Sequence, residues 1–192
     1  MSAMETMRVP GPWTVADRDA LPDDGKRHEL IDGVLYVNAA PRPAHQGIVL
    51  QLATLLLAEA PTHLKVHVAP LDVVLADDTV VEPDVLVAPA VAFNDLHLPG
   101  PPLLAVEVLS PSTRRVDLLI KKERYERAGI ASYWVIDTDT LELTVHELTQ
   151  GGRGQGDQGR GDYVEVARVG ADDTWTATRP FAVTITPRDL RY

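Results

Sequence analysis

Apolar and polar positions alternate along this chain in short runs, interrupted once by a longer helical stripe. Ile48, Leu52, Leu55 and Leu56 recur at helical spacing and Pro61 cannot continue the helix, so the pattern predicts a helix over Ala44–Ala60. On either side of it the period is two. RHELIDGVLYVN reads as two strands joined at Asp32-Gly33, a dipeptide that accepts the positive φ of a tight turn. LKVHVAPLDVVL and TVVEPDVLVA read as a second hairpin about Asp77-Asp78. Counting outward from that turn pairs Leu71 with Asp84 and Val73 with Glu82, and places Asp72 on the face opposite Asp84, where it is a poor ligand candidate.

A short helix is expected to start with Thr14 as N-cap and to end near Leu21-Pro22. After the loop LPGPP, Leu103–Leu109 is an apolar strand, SPST opens toward a helix that Gly129 terminates, and SYWVID is a further buried strand. TLELTVHEL and DYVEVARV pair around a loop in which six of the eleven residues from Gly151 to Gly161 are glycine. That loop lacks the Lys-Ser/Thr ending and the following helix of a phosphate-binding loop, so it is read as a flexible hairpin tip. One or two strands from Thr174 through FAVTITP complete the chain.

The 192 residues fit one domain over 1–192, long enough to bury a substantial core. No apolar run is long enough to cross a bilayer and the N-terminus lacks the basic-then-apolar pattern of a secretory leader, so a cytoplasmic location without a membrane partner is expected. With no cysteine, thiolate metal sites, disulfides and a cysteine nucleophile are excluded. His63 and His67 lie in an extended segment that separates their rings. The net charge of -10 argues against a general nucleic-acid binder. Its distribution qualifies that: from Arg114 to Arg127 six basic residues stand against three acidic ones. This basic stretch is either a landing surface for phosphate or a solvated helix held by pairs such as Glu123 with Arg127.

The chemistry with most promise lies beside that stretch. Alternation puts Leu103, Ala105, Glu107 and Leu109 on one face of their strand, and Glu82 with Asp84 on one face of theirs. A buried carboxylate such as Glu107 needs a cation, a hydrogen-bond network or a site open to water. Leu118, Lys121, Tyr125 and Ala128 follow α-helical spacing, so Lys121 faces inward while Lys122 lies about 100° away. Two carboxylates can hold a hard divalent cation and a nearby ammonium can offset charge on a phosphate. Two plainer readings stand beside this one. Glu107 can pair with Lys121 and only support the fold, and Lys121 can snorkel its ammonium to solvent. Ser110 and Ser112 have no histidine suitably arranged and are read as part of a helix cap, not as nucleophiles.

HELIDGVLYV, HQ, APLDVVL, EPDVLV, EVLSPST, D-x-x-x-K-x-x-x-Y and AG-I-x-x-YWVID occur here in an order that resembles the Uma-two family of restriction endonuclease-like proteins, a branch of the PD-(D/E)XK nuclease superfamily. The resemblance covers roughly residues 13–148 and leaves 149–192 as a C-terminal β extension. It implies an α/β fold with a restriction-endonuclease-like core, a mixed central sheet flanked by helices. It also implies Mg²⁺ and endonucleolytic hydrolysis of phosphodiester bonds; beside it we expect Mn²⁺ as a substitute, nucleic acid, DNA before RNA, as partner and a homodimer as assembly. Pro83-Asp84 would be the PD element and Glu107 the second carboxylate, these two holding the metal. The superfamily lysine two residues beyond that glutamate is Leu109 here; in the family resembled it has moved to the following helix and falls on Lys121. Glu29 matches a glutamate that completes the site, although it also reads as an exposed acid of a hairpin. His28 and Ser132 depart from the family's aromatic and glutamate at those places. The alternative to an enzyme is a catalytically weak nuclease-fold module that acts by association as a homodimer.

Overall fold

The computed structural model describes residues 11–38, 40–110, 114–149 and 161–191. Helix α1 (Val15–Asp19) opens where expected: Thr14 Oγ1 accepts the Asp17 amide at 3.2 Å and the Asp17 carboxylate accepts the Thr14 amide at 2.9 Å. Arg18 then fastens the helix to the body, donating to the His28 carbonyl at 2.8 Å and to Asp72 at 2.7 Å. Strands β1 (Arg27–Ile31) and β2 (Val34–Asn38) are joined by the two-residue turn Asp32-Gly33, with φ of 49° and 75°. Glycine is needed at 33 for a second reason: a Cβ there would lie 2.7 Å from Pro12 Cβ.

Helix α2 (Pro43–Glu59) starts with proline in its first turn, where the missing amide costs no helical bond. It buries Ile48, Leu52 and Leu56 as expected and adds His45 and Ala53, while Leu55 is only half-buried. Each aliphatic side chain so buried contributes about 1.5–3 kcal/mol.

The second hairpin differs from its sequence reading. One arm is divided into β3 (Leu64–Val68) and β4 (Val73–Ala76), the other into β5 (Thr79–Val81) and β6 (Val85–Pro89). An irregularity between Val74 and Ala76 shifts the register, so Val73 faces Val81 instead of Glu82. Beyond that point both arms leave the ladder and re-pair in a different sheet, Val68 opposite Val85, and the Ala69 amide reaches the Asp84 carbonyl at 3.3 Å. The expected Leu71–Asp84 pairing therefore does not form. A count outward from a turn holds only while the ladder is continuous.

The remaining strands are β7 (Leu98–Pro99), β8 (Leu104–Leu109), β9 (Ser132–Asp137), β10 (Leu143–Leu148), β11 (Tyr163–Val169), β12 (Trp175–Ala177) and β13 (Val183–Ile185). They complete a five-stranded sheet, β2-β1-β5-β4-β7, a six-stranded sheet, β11-β10-β9-β8-β6-β3, and the C-terminal hairpin β12-β13. The six-stranded sheet is mixed because β8 and β9 run parallel. Its Leu104, Val106 and Val108 face a core with α2 and the C-terminal hairpin; Ala105 and Leu109 face a second core with the five-stranded sheet and helix α3 (Lys122–Ala128). Gly129, at φ 81°, ends α3 as expected. No helix among the described residues is long and apolar enough to cross a membrane. Most of SPST, including Ser112, and the glycine loop up to residue 160 lie outside the described residues.

Candidate active site at the seam between two sheets

The antiparallel ladder of β6 and β8 ends with Val85 opposite Val106, and Asp84 lies just past that end, near enough to Glu107 and Lys121 for their charges to act on one another. Asp84 occupies the point where the chain passes from the five-stranded to the six-stranded sheet. Its Oδ2 accepts the Val108 amide at 2.8 Å and the His45 Nε2–H at 3.0 Å. Glu107 gathers its hydrogen bonds on Oε1, from the Tyr125 hydroxyl at 2.7 Å and the Lys121 ammonium at 3.1 Å. Lys121 Nζ is also 2.9 Å from Glu29 Oε1 and 3.7 Å from Asp117 Oδ1. Glu29 reaches the cluster from β1 and is held on both oxygens: Oε1 accepts the Glu82 amide at 2.7 Å and Oε2 accepts Asn38 Nδ2 at 2.6 Å.

All four candidate side chains are thus brought together, and all are buried: relative exposure is 2 % for Glu29, 6 % for Asp84, 2 % for Glu107 and 4 % for Lys121. Glu29 is not the exposed hairpin acid that one reading allowed, and the Lys121 ammonium stays inside instead of snorkelling. Glu82 and Asp84 do not share a surface. The segment between β5 and β6 is not a strand, so alternation fails there, and the Glu82 carboxylate turns to Arg18 at 3.5 Å and Arg27 at 3.9 Å.

Burial raises the Glu107 carboxyl well above its ordinary value; Lys121 opposes this, while Asp117, Asp84 and Glu29 add to it. Burial also disfavours the Lys121 ammonium, but Glu107, Glu29 and Asp117 outweigh it and hold the lysine charged. For Asp84 the burial penalty is overcome by the His45 hydrogen bond, the Lys121 charge and the Val108 amide, which together keep it below the usual carboxylate range. The Tyr125 phenol is pushed well up, first by burial and then by Glu107, and remains a donor.

Asp84 and Glu107 each keep one oxygen, Oδ1 and Oε2, that accepts no hydrogen bond among the described residues. Those two oxygens are what the chain can offer a cation. No cluster of three or more His, Cys, Asp or Glu is arranged as a ready-made metal cage among the described residues. A two-carboxylate donor set of this kind fits a hard ion that takes its other ligands from water and phosphate.

Lys121 ends a π-helical turn, Val116–Lys121, that runs directly into α3. The wider turn changes the inward face predicted from α-helical spacing: Asp117, Lys121, Arg124 and Tyr125 are buried, and Leu118 and Ala128 only partly so. The basic stretch is also largely committed within the molecule. Arg114 pairs with Asp137, and both Arg124 and Arg127 pair with Asp32 in the β1–β2 turn, which ties α3 to the five-stranded sheet. Three participants were given no role from sequence. Asp117 and His45 stood in the motifs D-x-x-x-K-x-x-x-Y and HQ, and His45 was also visible as a polar residue three before Ile48 on the apolar stripe of α2, whereas Asn38 gave no local signal.

A family model described as "Uma2: Putative restriction endonuclease" matches residues 15–186, well past residue 148 and through the C-terminal hairpin. Among solved structures, a crystal structure from Anabaena variabilis, described as a putative nuclease belonging to DUF820, superposes with a TM-score of 0.69 at 17% identity, covering 93% of this chain and 97% of that one. At that identity the likeness concerns the fold, which is nuclease-like in both. No curated protein matches the chain. With the family model spanning most of its length and the fold agreeing, the chain belongs to the Uma2 family of restriction endonuclease-like proteins.

Proposed function

We propose that the chain is a metal-dependent endonuclease that hydrolyses phosphodiester bonds of DNA, with Mg²⁺ as the resident ion and Mn²⁺ as its substitute. The observation that carries this reading is the buried cluster itself. A buried ion-pair network is weak evidence for stability, since apolar packing of similar volume often serves as well or better. Three carboxylates around one ammonium, beside a fourth carboxylate with one oxygen that accepts no hydrogen bond among the described residues, are better explained by a task.

Asp84 Oδ1 and Glu107 Oε2 would hold the ion, which supplies a polarised phosphoryl oxygen and an acidified water when bound. The other roles belong to the chain. Lys121 donates to Glu29 and Glu107, and Asp117 at 3.7 Å is beyond hydrogen-bond reach of it. A third ammonium proton is therefore left for a phosphoryl oxygen, whose developing charge it stabilises. Glu29, fixed by Asn38 and the Glu82 amide, keeps the lysine aimed. Single-turnover cleavage of DNA and of RNA with Mg²⁺ tests the reading: Asp84→Asn and Glu107→Gln should each abolish cleavage of DNA. Cleavage that persists in both variants would overturn it.

One observation favours a second reading, a module that binds as a homodimer without efficient turnover. Four of the six basic residues from Arg114 to Arg127 are engaged in internal ion pairs. Wild-type protein that binds Mn²⁺ and DNA but leaves the strand intact would decide for it.

A further inference from the structure

We infer that His45 is the positioning residue for Asp84, setting which oxygen of that carboxylate is presented to a metal ion; this rests on the metal-site reading above. His45 lies in the first turn of α2, on the same stripe as Ile48, Leu52 and Leu56, and is 9% exposed. An apolar side chain would suit that stripe without any polar group to satisfy. The histidine instead buries a ring whose Nδ1 has no hydrogen-bond partner among the described residues, a loss that costs about 1–3 kcal/mol. What the fold gains in exchange is the contact of Nε2 with Asp84 Oδ2 at 3.0 Å.

The chemistry of the pair fixes its direction. Oδ2 already accepts the Val108 amide and is the acceptor here, so the ring nitrogen that faces it carries the proton and His45 donates. The Val108 amide donates to the same oxygen at 2.8 Å. Two donors from different elements, one on α2 and one on β8, saturate Oδ2 and stop rotation of the carboxylate, leaving Oδ1 as the oxygen presented. Val108 alone would hold one direction; His45 supplies the second. Neither ring nitrogen is placed to touch substrate, since Nδ1 is buried and Nε2 is occupied, so the histidine acts through Asp84.

The test is calorimetric titration of the full chain with Mn²⁺, needing no turnover. His45→Leu should weaken Mn²⁺ binding about 10- to 100-fold, the usual effect of removing a group that orients a metal ligand. His45→Gln, whose amide nitrogen can stand where Nε2 stands, should restore most of the affinity. In an Asp84→Asn background His45→Leu should have no further effect. Circular dichroism checks folding, and His45→Met replaces the leucine variant if that one does not fold. Wild-type affinity in the leucine or methionine variant, or a glutamine variant as weak as the apolar one, overturns the inference alone. A wild-type chain that takes up no Mn²⁺ overturns the metal-site reading and this inference with it.

Discussion

Replacing Lys121 by methionine keeps an unbranched stem and removes the ammonium. That ammonium sits 2.9 Å from Glu29 and 3.1 Å from Glu107, with Asp117 farther off at 3.7 Å. Removing one partner of a buried pair costs about 3–5 kcal/mol because the charges left behind are uncompensated. Set against a total of about 5–15 kcal/mol for a domain, that is a large fraction. The variant can relieve part of it by keeping protons on the carboxylates. Glu107 already lies above its ordinary value through burial, and Lys121 is the strongest influence holding it down, so its removal raises Glu107 further. A carboxyl raised in the folded state favours folding in acid, and that contribution is lost as pH rises through its folded value. The deficit relative to wild type should therefore be smallest below about pH 4.3 and grow as pH rises toward the folded value of Glu107. Urea unfolding over a series of pH values in EDTA measures it, with half-buried Lys122→Met as the control, which should change stability by less than about 0.5 kcal/mol. A Lys121→Met protein within about 1 kcal/mol of wild type at pH 8, or a deficit that grows in acid, would mean that the ammonium does not hold the carboxylates together; the central estimate is about three to five times that.

Glu82 is raised from 4.5 to about 7, by burial and then by Glu29, against Arg27 and Arg18. Its contribution is full below pH 4.5 and lost as pH rises through 7, so Glu82→Gln should gain on wild type over that window by at most about 3 kcal/mol; parallel pH profiles in urea melts would count against it. Tyr125→Phe keeps the ring but removes a donor from buried Glu107, and should cost about 1–3 kcal/mol in the same assay. Mn²⁺ at about 100 times its dissociation constant should stabilise the wild type by about 2.7 kcal/mol and Asp84→Asn not at all, read as a shift in melting temperature.

Local signals in the sequence carried local structure well. The Asp32-Gly33 turn, the stripe of α2, the Thr14 cap and the Gly129 stop each depend on a few adjacent residues, and each stands where the pattern put it. The order of Asp84, Glu107 and Lys121 was also readable, because two strands and a helix that follow one another tend to pack together. What escaped depends on breaks in periodicity or on distance along the chain. The irregularity at Leu75 and the unladdered Glu82–Asp84 segment divide one apparent hairpin between two sheets. Arg124 and Arg127 looked available for phosphate because their partner, Asp32, is remote in sequence and only folding brings it near. His45 was on view as a misfit in an apolar stripe, but its meaning required the position of Asp84.

The helical turn Val116–Lys121 closes on the fifth residue, not the fourth, and so accommodates one residue more than an α-helical turn would. Leu119 within it is 59% exposed and contributes little to either core. Deleting it would let the segment settle as α-helix while Lys122 to Gly129 kept their places. The residues before it would then keep their phase, because the wider turn is what absorbs the extra residue, and Asp117 would stand three residues from Lys121 instead of four, still on its side of the helix. The wider turn is thus a place where the chain can lose a residue without turning the flanks of the site. Scans that exchange one side chain for another preserve length and would pass over this tolerance; a single-codon deletion would expose it.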